Sequence, residues 1–175
     1  MQSATLAGSP PVLLIMGVSG SGKTTVGSLL AGRLGWAYAE ADAFHPSANL
    51  AKMAAGRPLD DADRAPWLAA IGAWIDESVA AGRPAVVTCS GLKRAYRDSL
   101  REGRAHLRLV FLDAQFATVS ARLTAREGHF FPADLLASQY GDLQAPEPDE
   151  AIVRIPVNEA PQQIVERLIA LGVAA

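Results

Sequence analysis

Disulfides are the first thing this sequence cannot have. One cysteine, Cys89, stands in 175 residues, so no intrachain bridge can staple the fold. That usage suits a reducing cytosol. Positive charge is not in excess either. Sixteen Lys and Arg face 18 Asp and Glu for a net charge of −2, which argues against a broad nucleic-acid-binding surface while allowing a local basic pocket for a small anion. Apolar runs stop at strand length, far short of the roughly 20 residues of a membrane span. Residues 1–11 carry no Lys or Arg and no long apolar stretch. They make a poor signal peptide and read as a disordered leader. Half of the chain is hydrophobic and 19% is charged, a globular composition at a length that fits one domain. The expectation is a cytoplasmic, soluble protein with a single domain over residues 12–175, binding neither nucleic acid nor membrane.

The chain alternates between two periodicities. Residues 12–16 form a continuous apolar run ending at Gly17, as suits a strand buried on both faces of a parallel sheet. Val26, Leu29, Leu30 and Leu34 then recur at helical spacing until Gly35. Residues 36–40, 85–89, 107–112 and 152–157 read as further strands. Residues 64–81, 96–102, 116–126 and 161–171 read as helices, with Pro66 tolerable in a first turn. Strand and helix in alternation predict a parallel sheet covered on both faces, an α/β three-layer arrangement. Residues 42–63 and 128–150 read as irregular insertions, placed where ligand-binding loops belong.

The strongest motif is Gly17-Val18-Ser19-Gly20-Ser21-Gly22-Lys23-Thr24, which matches G-x-x-x-x-G-K-[ST] at every fixed position. Glycines let the backbone wrap phosphate oxygens and turn its N–H groups inward. The helix that follows adds the positive end of its dipole, with Thr25 next in its first turn. Lys23 can reach the β- and γ-phosphates, and the Thr24 hydroxyl can ligate an accompanying magnesium ion. The motif implies a nucleoside triphosphate and magnesium. It does not by itself distinguish kinase from ATPase or GTPase.

A kinase also needs a place for an acceptor hydroxyl in line with the γ-phosphate. Glu40 and Asp42, two apart after the second strand, point the same way on an extended chain. One can support the magnesium hydration shell and the other can accept the proton of the attacking hydroxyl; a solvated loop is the plain alternative. The acids at 60, 61 and 63 can cap the helix that follows, with Trp67 in the core and Arg64 either a ligand or a surface charge. Ser90, Lys93 and Arg97 follow the third strand, a cluster of cations and a hydroxyl such as a polyhydroxylated acid would require. Cys89 itself reads as a buried small residue with no activating base beside it. Arg122 and Arg126 share a helix face, where cations can close over phosphates or simply complement a helix dipole. Gly128 would permit a lid to hinge. His129 has no second His or Cys at ligand spacing, which disfavours a metal role.

Taken together these segments resemble the gluconokinase family of short P-loop kinases, related to shikimate and nucleoside monophosphate kinases. The marks are the P-loop, Asp42-x-x-His45-Pro46, Met53 with Gly56-x-Pro58-Leu59, and Asp63-Arg64-x-Pro66-Trp67-Leu68. Further marks are Cys89-Ser90-x-Leu92-Lys93-x-x-Tyr96-Arg97-Asp98, Gly128-His129-Phe130-Phe131, Ser138-Gln139 and Leu143-Gln144. The resemblance implies phosphorylation of D-gluconate on its C6 hydroxyl with ATP and Mg2+, a five-stranded parallel sheet in the order 2-3-1-4-5, a mobile lid over about residues 122–146, and a homodimer. It implies Lys23, Asp42 and Arg126 as catalytic residues. The nucleotide would be held by Gly17, Ser19, Gly20, Ser21, Gly22, Lys23, Thr24, Thr25, Arg122 and Arg126. The acceptor would meet Asp42, His45, Arg64, Ser90, Lys93, Arg97 and His129, and the metal Thr24 and Glu40. The third strand lacks the aspartate of a usual Walker B site, so phosphate oxygens and water are expected to complete the magnesium shell. A kinase of another hydroxy acid such as shikimate is the nearest alternative. A nucleotide-dependent switch or ATPase would want a guanine-selective Asn-Lys-x-Asp segment, which is absent.

Overall fold

The computed structural model describes residues 8–126 and 133–175. Its centre is strand β1 (Val12–Met16), every residue of which is buried. Alternation along β1 supplies both layers of the core. Leu13 and Ile15 face a cluster with Val26, Leu30, Val110, Ile164 and Leu168. Val12, Leu14 and Met16 face another with Trp67, Ile71, Ile75, Leu100 and Phe111. A strand with two apolar faces can only sit inside a sheet, and β1 pairs in parallel with β3 (Ala85–Cys89) on one side and β4 (Leu107–Asp113) on the other. β2 (Ala37–Glu40) and β5 (Val153–Pro156) are the edges, also parallel, which gives the order β2-β3-β1-β4-β5. The expected topology is therefore present. The C-terminal ends of β1, β2 and β3 lie side by side, Met16 opposite Cys89 and Glu40 opposite Thr88, so the segments that follow them leave from one edge of the sheet.

Helix α1 (Lys23–Leu34) ends as expected at Gly35, whose left-handed φ of 67° lets its N–H reach the Ala31 carbonyl. Helices α4 (Arg94–Arg101), α5 (Phe116–Ala125) and α7 (Pro161–Ala170) fall within two residues of their expected bounds. Three expectations need correction. Residues 42–63 are not irregular throughout: a 3₁₀ turn at Ala41–Phe44 leads to helix α2 (Ser47–Ala54). That helix is short, largely exposed and poor in apolar periodicity, so its signal is weak. Helix α3 (Asp61–Ala80) begins three residues early, because the Asp63 N–H donates to Asp60 Oδ1 at 2.8 Å and the Asp60 N–H donates back to Asp63 Oδ2 at 2.9 Å. This polar capping box lies outside the apolar period, and it moves Pro66 out of the first turn. Finally, helix α6 (Ala133–Asp142) and a 3₁₀ turn at Pro148–Glu150 occupy most of the second insertion. No helix among the described residues is long and apolar enough to cross a membrane.

Helix α1 presses on the sheet through Gly27, where an added Cβ would meet Thr88 Cγ2 at 2.7 Å and Tyr38 Cε2 at 3.1 Å. Gly27→Ala is expected to destabilise the fold by about 1–3 kcal/mol through overpacking. Gly32→Ala, on the exposed side of the same helix with nothing within 4 Å, is expected to gain about 0.5–1 kcal/mol. Urea unfolding of the two variants checks the contrast.

Candidate active site

The P-loop joins β1 to α1. Gly17 leaves the strand at φ 152°, and a Cβ there would lie 2.8 Å from Ser21 Oγ and 3.0 Å from the Leu112 carbonyl. Gly22 caps α1 at φ 99°, a left-handed conformation that favours glycine. Lys23 folds back beneath the loop, donating from Nζ to the carbonyls of Gly17 and Val18 at 2.9 Å each. Burial pushes its ammonium below the usual lysine range, with Asp42 and Glu40 pulling the other way. Ser21 Oγ is buried and has no hydrogen-bond partner among the described residues. The Ser19 N–H donates to Gln139 Oε1 at 2.7 Å, and Gln139 Nε2 donates to Ser19 Oγ at 2.8 Å. This reciprocal pair ties α6 to the tip of the loop.

Beside the loop lies a cleft of about 250 Å³. Gly20, Gly22 and Thr25 form one wall, Arg122 and Arg126 at the end of α5 another, and Val157 and Glu159 after β5 with Pro161 and Ile164 of α7 a third that is mostly apolar. Two cations, a helix N-terminus and an apolar wall suit a nucleotide. The structure thus brings Arg122 and Arg126 together with the loop glycines.

A second group gathers at the ends of β2 and β3. Glu40 closes β2 and accepts from Tyr38 Oη at 3.0 Å, a bond that together with burial pushes the phenol up to about 12. Asp42 is exposed on the 3₁₀ turn. His45 stacks on Trp67 with centroids 4.5 Å apart and planes 8° apart, and Trp67 Nε1 donates to the Ala41 carbonyl at 2.7 Å. Arg64 Nη1 donates to Tyr96 Oη at 3.0 Å, and Lys93 Nζ donates to Asp61 Oδ1 at 3.0 Å. Both cations lie over the Tyr96 ring, at 5.6 and 5.5 Å from its centroid, and Tyr96 Oη donates to the same Asp61 carboxylate. Ser90 follows β3 directly, and its carbonyl accepts from the Gly17 N–H at 3.2 Å, so the P-loop and the turn after β3 share a hydrogen bond. Cys89 is buried, and burial pushes its thiol up to about 12. Both accord with the expected small core residue.

Arg97 departs from expectation. Its side chain is 1% exposed and grips Glu150 bidentately, Nε to Oε2 and Nη2 to Oε1, both at 2.7 Å. Nη1 donates to the carbonyls of Gly91 and Leu92 at 3.0 and 3.2 Å. Four of the five N–H donors of a guanidinium are thereby spent. Arg97 supports the turn that carries Ser90 and Lys93 and leaves no face for an acceptor. From sequence alone a buried arginine and a cleft arginine look the same. His129 and the Gly128 hinge lie outside the described residues. Sequence reasoning read Asp61 only as a helix cap, marked Tyr96 by resemblance without a role, and assigned nothing to Asn49; their contacts with Arg64, Lys93 and Asp63 join separate elements. Gln139 was marked by resemblance, but its pairing with Ser19, 120 positions away, has no local signal.

Among the described residues no three His, Cys, Asp or Glu side chains form a metal cage. The Thr24 hydroxyl and the Glu40 carboxylate are hard oxygen donors near the loop, a donor set that fits magnesium bound mainly through phosphate.

Comparison with known proteins follows the same line. A family profile described as an AAA domain matches residues 12–146. A gluconokinase of Gluconobacter oxydans is 50% identical over 160 residues, covering 91% of this chain and 90% of that protein. The crystal structure of a gluconokinase from Sinorhizobium meliloti superposes with a TM-score of 0.83 at 43% identity, covering 95% of this chain and 93% of that one. A sugar kinase from Janibacter gives 0.85 at 45% identity, covering 94% and 96%.

The Arg97–Glu150 pair makes a linkage prediction. Arg97 holds Glu150 below the ordinary value of 4.5, so the pair stabilises fully above that value and its contribution drains as pH falls through the depressed folded value. Glu150→Gln leaves a buried guanidinium without its counter-charge and is expected to cost about 3–5 kcal/mol at pH 7. The gap to wild type should narrow below pH 4.5 in urea titrations run at several pH values.

Proposed function

The chain belongs to the gluconokinase family, and from that premise we propose that it transfers the γ-phosphoryl group of ATP to the C6 hydroxyl of D-gluconate, giving 6-phospho-D-gluconate and ADP. The observation that carries the reading is the meeting of two halves at one sheet edge: a complete P-loop and, beside it, Asp42 on the turn after β2, Lys93 after β3 and Arg64 in the first turns of α3. Asp42 adds negative field at Lys23, which supports a proton acceptor near the phosphoryl donor.

In this reading the loop N–H groups, Lys23, Arg122 and Arg126 hold the triphosphate. The gluconate carboxylate sits against Arg64 and Lys93, and its hydroxyls meet Ser90 and His45. Asp42 takes the proton of the C6 hydroxyl as its oxygen bonds to the γ-phosphorus and the bond to the β-phosphate oxygen breaks. Lys23 and Arg126 offset the charge that spreads over the transferring group. Magnesium, when bound, neutralises phosphate charge; Thr24 would hold it directly and Glu40 through water. A homodimer in the cytoplasm accords with the family and belongs to the same proposal.

Gluconate-dependent ADP release tests the whole reading. Release is expected with gluconate and not with shikimate or without an acceptor; equal turnover in all three arms would sink it. Lys23→Ala should abolish transfer while circular dichroism stays unchanged. Arg64→Ala should raise the KM for gluconate by roughly tenfold or more while moving the KM for ATP little. An effect confined to ATP would count against its placement.

A further inference from the structure

Asn49 is 3% exposed on α2, a helix whose other residues are mostly exposed. Burying a side-chain amide is costly unless it is hydrogen-bonded. Asn49 Nδ2 donates to the Asp63 carbonyl at 2.8 Å and meets His45 Nδ1 at 3.3 Å. A carbonyl only accepts, so the Asp63 contact identifies which end of the amide is nitrogen. An amide nitrogen only donates. His45 Nδ1 must therefore be the accepting lone pair, and the ring proton sits on Nε2. The Trp67 stack fixes the plane of the ring.

The same contact opposes a charged ring, because an imidazolium would turn Nδ1–H against the amide N–H. The charged groups that face His45 are Asp42 on its own turn, which favours the imidazolium, and Arg64 on α3, which disfavours it. The other nearby acid, Asp63, is engaged by Lys52 from α2 at 2.5 Å. Burial is the largest influence and lowers the ring's basicity.

We infer that Asn49 is a positioning residue that locks His45 as a neutral Nε2–H hydrogen-bond donor to the acceptor, leaving Asp42 to take the hydroxyl proton. A general base needs a free lone pair toward the proton it removes; the only lone pair on His45 is spent on Asn49. This inference rests on the proposal that Asp42 and His45 face the acceptor, and its first test does not depend on that proposal.

That test is nitrogen NMR of the full chain with 15N-labelled histidine, which has three histidines to resolve; His45→Gln assigns the signal. His45 is expected as a single Nε2–H tautomer at neutral pH, and as a tautomer mixture or a charged ring in Asn49→Ala. An Nδ1–H tautomer or a charged ring in the wild type overturns the lock, whatever the substrate. The second test is kinetic. His45→Phe, which keeps a ring beside Trp67 but has no donor, should raise the KM for gluconate roughly three- to tenfold, the loss of one hydrogen bond, with the acid limb of the kcat/KM profile kept. Loss of that limb with a roughly 10²–10⁴-fold fall in kcat would make His45 the base and overturn the proposal. An unchanged KM beside an intact tautomer would overturn the donor role and, separately, the placement of His45 at the acceptor.

Discussion

Lys23 carries a positive charge into a half-buried place beneath the P-loop, and the surrounding architecture follows from how that charge is kept. Its ammonium is solvated by the carbonyls of Gly17 and Val18, the residues at which β1 gives way to the loop. Those carbonyls can turn inward only because the backbone leaves the strand in a glycine conformation. Glycine is needed at the exit for space as well, since a side chain there would strike Ser21 and Leu112. Asp42 and Glu40 add negative field from the neighbouring strand end. A nucleotide's phosphates would supply a stronger counter-charge at the same place, so the resting contacts of Lys23 keep an anion site in order without filling it.

A second charge, this one fully buried, does for the turn after β3 what Lys23 does for the P-loop. Arg97 and Glu150 are both 1% exposed, and a pair so deeply buried is weak support for stability as such, because desolvation offsets much of the attraction. What it supplies is position. One end of the guanidinium holds two carbonyls of the Gly91–Leu92 turn, and the other holds the 3₁₀ turn after α6. The Gln144 N–H donates to the Leu92 carbonyl, and the Arg94 N–H to Gln144 Oε1. The segment after α6 is thus strapped to the start of α4, while Gln139 on α6 holds Ser19 of the P-loop. Through these contacts the two halves of the site are braced by the same stretch of chain.

Legibility in the sequence divides along the range of the interactions. The strands, α1 and the P-loop were readable because their causes are local: a run of five apolar residues, a 3.6-residue period, glycines at fixed offsets. The start of α3 was not, because Asp60 and Asp63 satisfy each other outside the apolar pattern; α2 was not, because its one buried residue is an asparagine. Arg64, Lys93 and Arg97 looked alike as cations after strand or loop ends. Only the partner across the fold separates the first two, gathered on Tyr96, from the third, sealed against Glu150. Spacing tells which residues can share a face, and it is silent about which distant carboxylate will claim one of them.

That difference bears on how selectivity arises. Arg64 and Lys93 do not act as independent charges, since both lie over one aromatic ring and both approach one carboxylate, that of Asp61. Side chains with shared partners couple, so their effects on binding need not add. A carboxylate arriving from a substrate would meet a pair of cations whose geometry Tyr96 and Asp61 already constrain, which lowers the ordering cost of binding. Asp61 is largely exposed, and exposed ion pairs are weak, so the constraint is light enough to yield. An acid with a chain of hydroxyls could then reach from the cations on Tyr96 to Asp42 beside Lys23. Selectivity in such a site depends on the length of that reach as much as on either charge, because only an acceptor spanning both ends places its hydroxyl at the phosphate while its carboxylate stays paired.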